Sequence, residues 1–238
     1  MRLPTFAVMG TIDLAAIALL AAIPGASAAG SGWHVGNYDP SGKTLSLGEA
    51  SAPASGVATF NFTQQSSTCS PATSYTACGD LGAGTALLIT DQGSNKSGLT
   101  GNDSEMNINA NFTINNLSGT GAFTYGGEPY CGGSASVRLY FESTHGPFGY
   151  SNYWWSDTGS VTLVGDGNFT LTAQIDPTLA AWGNWDGQPS AANTAAFTAA
   201  ASDVTAIGLS FGGGCFFENG VRTTDGSGTF TLNSFSVS

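Results

Sequence analysis

Alternation of apolar and polar residues is the dominant pattern along the chain. It is clearest from Glu105 to Asn115, where the partners of the apolar residues are Asn or Thr. The apolar positions in this stretch are Met106, Ile108, Ala110, Phe112 and Ile114. Successive side chains of a strand point to opposite faces of a sheet, so the segment predicts a strand with one buried face. Similar patterns predict strands at Val57–Phe62, Thr85–Thr90, Ala122–Tyr125, Ser136–Glu142, Ser160–Val164, Asn168–Ile175, Val204–Phe211 and Gly228–Val237.

Turn-forming residues separate these segments. Gly, Asn and Asp cluster at 101–103, 165–167 and 225–226, and each favours the backbone conformations of tight turns. Many short strands joined by such turns predict an all-β fold, an antiparallel β-sandwich. In the last strand the apolar parity changes between Leu232 and Phe235, which predicts a bulge near Asn233-Ser234.

One segment has a helical rather than a strand composition. Residues Ser190 to Asp203 are rich in Ala, follow a proline and begin with a serine that is suited to cap a helix. Phe197 is their one large apolar side chain. We expect a short crossover helix that docks through Phe197 on one end of the sandwich.

The N-terminus has the order of a secretory signal peptide. Arg2 precedes an apolar stretch from Leu14 to Ile23, and the small residues Ala26 to Ala28 follow. This predicts cleavage after Ala28, export from the cell, and one mature domain at 29–238. The alternative, a stable membrane anchor, requires roughly 20 apolar residues, about twice the length present.

Charge narrows the choice of partners. Only 9% of residues are charged, and 16 acidic against 5 basic side chains give a net charge of −11. Such a surface repels the phosphates of nucleic acids and anionic membranes. Neutral ligands and cations remain compatible with it.

Four cysteines lie in the predicted exported domain, where disulfide bonds persist. They are Cys69, Cys78, Cys131 and Cys215. Three pairings are possible. We favour Cys69–Cys78 across a short loop, with Cys131–Cys215 as the long-range bond.

Aromatic residues beside polar ones form a candidate sugar-binding surface. The residues concerned are Tyr153, Trp155, Trp182, Trp185 and Asp186. Rings can cover the C–H face of a pyranose while carboxylates and amides bind its hydroxyls. The alternative is that the rings fill the core, which we favour for Trp154 because tryptophan is highly buried on average.

Three polar residues share one face of a predicted strand. Arg138, Tyr140 and Glu142 alternate with apolar residues, and a guanidinium, a phenol and a carboxylate together can bind a polar ligand. Equally, they can form a solvated stripe with a weak Arg138–Glu142 ion pair.

A pair of glutamates offers a second chemistry. Glu128 and Glu218 each lie three residues from a cysteine, Cys131 and Cys215. A bond between those cysteines would bring the carboxylates together to bind a structural calcium ion, the one cofactor that the sequence indicates. They could also act as an acid and base pair on a glycan, with Glu142 as a further candidate. The simpler interpretation is two exposed glutamates on separate loops.

The second half of the chain, from about Ser134 to Ser238, resembles bacterial galactose-binding-like jelly-roll modules, the architecture of many carbohydrate-binding modules. The likeness rests on 136–141, 153–157, 203–214 and 228–237. It implies a jelly-roll fold and favours carbohydrate binding. Together with the predicted export and the low charge, it leads us to expect a secreted, non-catalytic protein that binds a neutral polysaccharide. The alternatives are a glycan-cleaving enzyme, a glycoside hydrolase or lyase, and a structural or adhesive surface protein. The segment around Cys215 departs from the family pattern, so no ligand residue is transferred from it.

Overall fold

The computed structural model describes residues 31–38, 45–64, 84–94, 98–126, 132–143, 149–214 and 217–238. Its strands in chain order are β1 (His34–Tyr38), β2 (Leu45–Glu49), β3 (Ala58–Asn61), β4 (Gly84–Asp91), β5 (Asn107–Asn115), β6 (Phe123–Tyr125), β7 (Ser136–Glu142), β8 (Tyr153–Ser156), β9 (Val161–Thr162), β10 (Gly167–Gln174), β11 (Trp182–Asn184), β12 (Ala206–Gly212), β13 (Val221–Thr223) and β14 (Thr229–Val237). The α-helix α1 spans Thr194–Ala201, and short 3-10 turns occur at Gln92–Ser94, Tyr150–Asn152 and Ser190–Ala192.

The strands form two sheets. The larger follows the order β11-β8-β7-β12-β4-β1-β2, with β13 paired to β4 and β6, and β9 paired to β7. The smaller has the order β10-β5-β14-β3. The ladders between these strands are antiparallel. The predicted all-β sandwich with one short helix is confirmed.

Alternation explains how the smaller sheet faces the core. In β5, Ile108, Ala110, Phe112 and Ile114 are fully buried, whereas the Asn and Thr residues between them are not. Met106 was expected on the buried face but lies before the strand and is exposed. The predicted change of parity in β14 is present, because its register against β5 shifts between Leu232 and Ser234.

The central strands of the larger sheet are buried on both faces. Every residue of β12 is buried, and so are the first seven residues of β4. A sheet with one face in water would show alternating burial. A second layer of residues therefore covers the outer face of the larger sheet, the face turned away from the smaller one.

Helix α1 covers one end of the core. It is shorter than the sequence predicted, and Asn193 rather than Ser190 stands at its N-cap. Ser190 lies in the preceding 3-10 turn, where its Oγ donates to the carbonyl oxygen of Leu179 at 2.7 Å. Phe197 is fully buried, as predicted.

Several sequence predictions lie outside the described residues. They concern the signal peptide at residues 1–28, the carboxyl group of Glu128, and both disulfide bonds, since all four cysteines belong to segments that the structure does not describe. Among the residues described, none of the helices is long and apolar enough to cross a membrane.

Candidate functional site

A second apolar cluster, separate from the sandwich core, lies on the outer face of the larger sheet. We call it the outer-face cluster. Its buried members are Tyr38, Ala86, Leu87, Ile89, Tyr140, Trp155 and Ala206, and the partly buried members are Leu45, Tyr153, Trp185 and Phe217. The alternation in β7 separates the two clusters, because Val137, Leu139 and Phe141 belong to the sandwich core. The prediction that Arg138, Tyr140 and Glu142 share the opposite face is consistent with this division.

The chain after β12 turns back across this outer face. Ser210 Oγ donates to the carbonyl oxygen of Phe217 at 2.7 Å, and the amide of Gly220 donates to Phe211 at 3.2 Å. The buried Asn219 accepts a bond from the amide of Gly213 at 2.9 Å and donates to its carbonyl oxygen at 3.1 Å. These bonds place Phe217 and Glu218 over the sheet.

Aromatic rings surround Trp155, at the centre of the outer-face cluster. Ring centroids lie 5.3 Å away for Tyr140 and 5.7 Å away for both Trp185 and Phe217. Trp155 donates through Nε1 to Ser210 Oγ at 3.1 Å. Beyond it, the rings of Tyr153 and Trp185 are 6.2 Å apart, and both remain partly exposed.

A tight turn presents Trp185. Asn184 is fully buried, and its Oδ1 accepts bonds from the amides of Asp186 at 3.1 Å and Gln188 at 2.9 Å. This asparagine turn fixes the backbone on either side of Trp185. Asp186 itself is exposed beside the ring.

Arg138 lies at the edge of the outer-face cluster. Its guanidinium donates to the carbonyl oxygen of Ser156 at 3.0 Å and lies 4.7 Å from the ring centre of Phe217. Burial lowers its pKa, while the charge of Asp157 raises it. The alternative interpretation, a solvated stripe with an Arg138–Glu142 pair, is wrong because Glu142 is buried.

Glu142 is a buried carboxyl at the end of β7, 3% exposed. The hydroxyl of Tyr140 donates to its Oε2. Burial raises the pKa of Glu142 to about 7; the hydrogen bond from Tyr140 opposes this, and the charge of Asp91 adds to it.

Glu218 is a second buried carboxyl at the same site, 8% exposed. Burial and, to a smaller extent, the charge of Glu142 raise its pKa to about 8. The sequence interpretation of an exposed glutamate is wrong for Glu218.

Three phenols of the site share the electrostatic environment of these carboxyls. Burial raises the pKa values of Tyr38, Tyr140 and Tyr153 above their usual range, and the charge of Glu218 contributes to all three. Glu142 contributes at Tyr140 and Tyr153. The two carboxyls and the phenols therefore form one electrostatically connected group.

The structure brings most of the predicted sugar-binding residues together. Tyr153, Trp155, Trp185, Arg138 and Tyr140 all belong to the outer-face cluster or border it. Trp155 and Tyr140 are each only 1% exposed, so the prediction that their side chains contact a ligand directly is wrong.

Trp182 does not belong there. It is in β11 rather than a loop, is fully buried in the sandwich core, and donates through Nε1 to Gln174 at 2.8 Å. The prediction that its ring contacts a ligand is therefore wrong. Trp154 is likewise in the core, as we favoured.

Sequence reasoning missed two members of the site. Tyr38 comes from β1, whose short alternation around Gly36 carried no clear strand signal. Phe217 is adjacent to the candidate Glu218, so its proximity to that residue was the available signal.

The described side chains at this site do not form an evident metal centre. Within the described part of the chain there is no group of three or more His, Cys, Asp or Glu side chains that could hold a metal ion. The proposed calcium pair involved Glu128, which is not described.

Comparison with known proteins gives no identity. No protein-family model, curated protein or solved structure matches this chain. Function must therefore be argued from the site.

Proposed function

We propose that this chain is a secreted protein that binds a neutral polysaccharide at the outer-face cluster. The observation that carries the proposal is the partly exposed pair of rings, Tyr153 and Trp185, beside buried carboxyls on the sheet face opposite the core. Export is supported by the signal-peptide pattern that ends at Ala28.

The rings suit the apolar faces of a sugar. Trp185 packs against both Trp155 and Tyr153, so little conformational freedom of its ring is lost when a ligand binds. Aromatic surfaces pack against sugar C–H groups while polar atoms nearby select hydroxyl positions.

Polar groups at the site can bind those hydroxyls. A sugar hydroxyl can donate to the side chain of Asp186, the exposed residue next to Trp185, and can accept from Arg138. The remaining donors of a guanidinium are fixed in one plane, which gives directional contacts.

Charge favours neutral over anionic sugars. The chain carries a net charge of −11, and the acidic residue Asp186 is exposed next to Trp185. A uronate or a sulfate would meet this like charge, whereas a neutral sugar would not.

A glycan array tests the proposal. The mature protein is applied to neutral, sialylated and sulfated oligosaccharides, and retention is confirmed by affinity electrophoresis in gels that contain the corresponding soluble polysaccharide. We expect retention on neutral glycans. Retention only on charged glycans, or none at all, would contradict the proposal.

A further inference from the structure

Asp103, far from the outer-face cluster in the chain, is a buried carboxyl without a partner. The residue is 4% exposed, and its Oδ2 atom is buried with no hydrogen-bond partner among the described residues. Burying an ionised carboxylate in this way is costly, because the water contacts that it loses are not replaced. Buried polar atoms without partners are rare in folded proteins, and each one requires an explanation.

Asp103 lies in a loop that is bonded to the end of helix α1 and to the chain before β12. We call residues 101–106 the junction loop. The amide of Asp103 donates to the carbonyl oxygen of Ala201, the last residue of α1, at 2.9 Å. Gly101 and Val204 exchange two backbone bonds, of 2.9 and 2.7 Å. The position of Asp103 is therefore fixed by backbone bonds, and its carboxyl makes none of them.

The second half of the junction loop is bonded to the end of β10. The amide of Glu105 donates to Ile175, and the amide of Ile175 donates to Met106, each at 2.8 Å. Glu105 has a φ of 66°, a left-handed conformation that residues other than glycine rarely adopt. The surrounding contacts must hold this backbone in place. Weakening of those contacts therefore favours opening of the loop.

The charges around Asp103 do not stabilise its ionised form. Helix α1 contains no titratable residue. The titratable side chains next to the residues that bond the loop are all acidic: Glu105 within the loop, Asp176 after β10 and Asp203 before β12. The bond from the Asp103 amide to α1 also places the residue at the negative end of the helix dipole, where a further negative charge is unfavourable. Ionisation of Asp103 therefore opposes docking of the loop.

We propose that Asp103 is a pH-sensitive switch, which permits the junction loop to dock when its carboxyl is protonated and opens the loop when the proton passes to solvent. Opening gives the carboxylate the water contacts that it lacks in the docked loop. The switch is independent of glycan binding.

The direction of the pH dependence follows from the two states of the carboxyl. Burial raises the pKa of Asp103 to about 6 in the docked loop, whereas an aspartate in water has a pKa of about 3.9. The docked loop is therefore fully favoured below about pH 4, and this advantage is lost as the pH rises through about 6. These two values limit the change in the opening equilibrium to about 100-fold.

Hydrogen exchange of single backbone amides, followed by NMR on the mature protein from pH 4.5 to pH 8, tests the switch. The amides of Asp103, Glu105 and Val204 donate bonds that hold the loop. After correction for intrinsic exchange, we expect their protection to fall by about tenfold or more over this interval. In Asp103→Asn, which keeps the size of the side chain and removes the charge, protection should stay constant within about threefold.

Two matched variants serve as controls. Glu105→Gln removes an exposed charge from the same loop, and Glu142→Gln removes a buried carboxyl from the outer face of the larger sheet. Both should retain the fall in protection of the loop amides. Loss of the fall in Glu142→Gln would mean that the loop follows unfolding of the whole domain, and it would overturn the switch.

The carbon-13 resonance of the Asp103 carboxyl provides a test that needs no variant. In the wild type it should titrate near pH 6, with the same midpoint as the loss of protection. A titration near pH 4, protection that is constant across the interval, or an unchanged pH dependence in folded Asp103→Asn would each overturn the proposal.

Discussion

The raised pKa values of Glu142 and Glu218 make the stability of the folded protein depend on pH. Burial raises their pKa values to about 7 and about 8, whereas a glutamate in an unfolded chain has a pKa of about 4.3. The folded protein therefore binds protons more tightly than the unfolded chain between these values. The stabilisation linked to these protons is complete below about pH 4.3 and is lost as pH rises through about 7 to 8.

We predict that the melting temperature falls between pH 5 and pH 8. Asp103, whose pKa burial raises to about 6, contributes in the same direction, so the pair is isolated by comparison of variants. Glu142→Gln and Glu218→Gln should each flatten the dependence, and Glu105→Gln should leave it unchanged. Calorimetry at constant ionic strength measures this. A melting temperature that rises over the interval, or variants with the wild-type slope, would contradict the assignment.

The sequence alone predicted only some of the residues that form the site. The shared face of Arg138, Tyr140 and Glu142 followed from the period of a strand. The burial of Glu218 did not, because it depends on the fold of the segment after β12 over the sheet. Trp182 was wrongly predicted to contact a ligand because the residues after it, Gly and Asn, are typical of loops. In the structure these residues pair with β8 at the end of the sheet.

At the scale of elements, alternation predicted strands well where one face is buried and the other polar. Strand β5 is the clearest case. Short strands such as β1 and β13 contain too few residues for the alternation to be recognised. The sequence also did not indicate which strands are neighbours in a sheet. Sheet order depends on contacts between residues far apart in the chain, such as those of β12 with β4.

Strand β12 depends on a glycine for its close approach to β4. A Cβ added at Gly208 would lie 2.1 Å from the carbonyl oxygen of Leu88 and 2.9 Å from the Cα of Ile89. These are backbone atoms, which cannot move without disturbing the ladder. Gly208→Ala should therefore destabilise the fold by about 1–3 kcal/mol or more, as overpacking does.

The control for this prediction is Gly48→Ala in β2, where an added Cβ meets nothing within 4 Å. It should change stability by about 0.5 kcal/mol or less. Urea unfolding of both variants provides the measurement. Equal stability of the two would show that β12 and β4 do not approach as described.

Helix α1 is attached to the sandwich mainly through Phe197. The ring lies 4.8 Å from Trp154, 5.6 Å from Phe141 and 6.3 Å from Trp182, measured between centroids. Phe197→Ala should cost about 3–5 kcal/mol, the usual range for a buried phenylalanine.

Thr198→Ala, an exposed neighbour in the same helix, is the matched control and should shift stability by about 0.5 kcal/mol or less. Chemical denaturation gives both values. A Phe197→Ala variant as stable as the control would mean that α1 is not docked through this ring.

At the scale of the whole molecule, the low charge of the chain accompanies burial of both faces of the larger sheet. The smaller sheet bonds its outer Asn and Thr side chains across strands, as in the bond of 2.6 Å from Thr113 to Asn168 and that of 2.7 Å from Thr170 to Asn111. The larger sheet instead covers its outer face with aromatic residues and carboxyls. The composition predicted a neutral ligand, but only the structure indicates which sheet carries the proposed binding site.

The affinity of the Trp185 variants for the neutral polysaccharide found on the array tests the binding site most directly. Isothermal titration compares wild type, Trp185→Ala and Trp185→Phe, with melting curves to show that each is folded. Loss of a stacked ring should weaken binding of the alanine variant by about 10-fold or more, in the range of an aromatic contact, while phenylalanine retains much of the affinity. Wild-type affinity in folded Trp185→Ala would contradict the account.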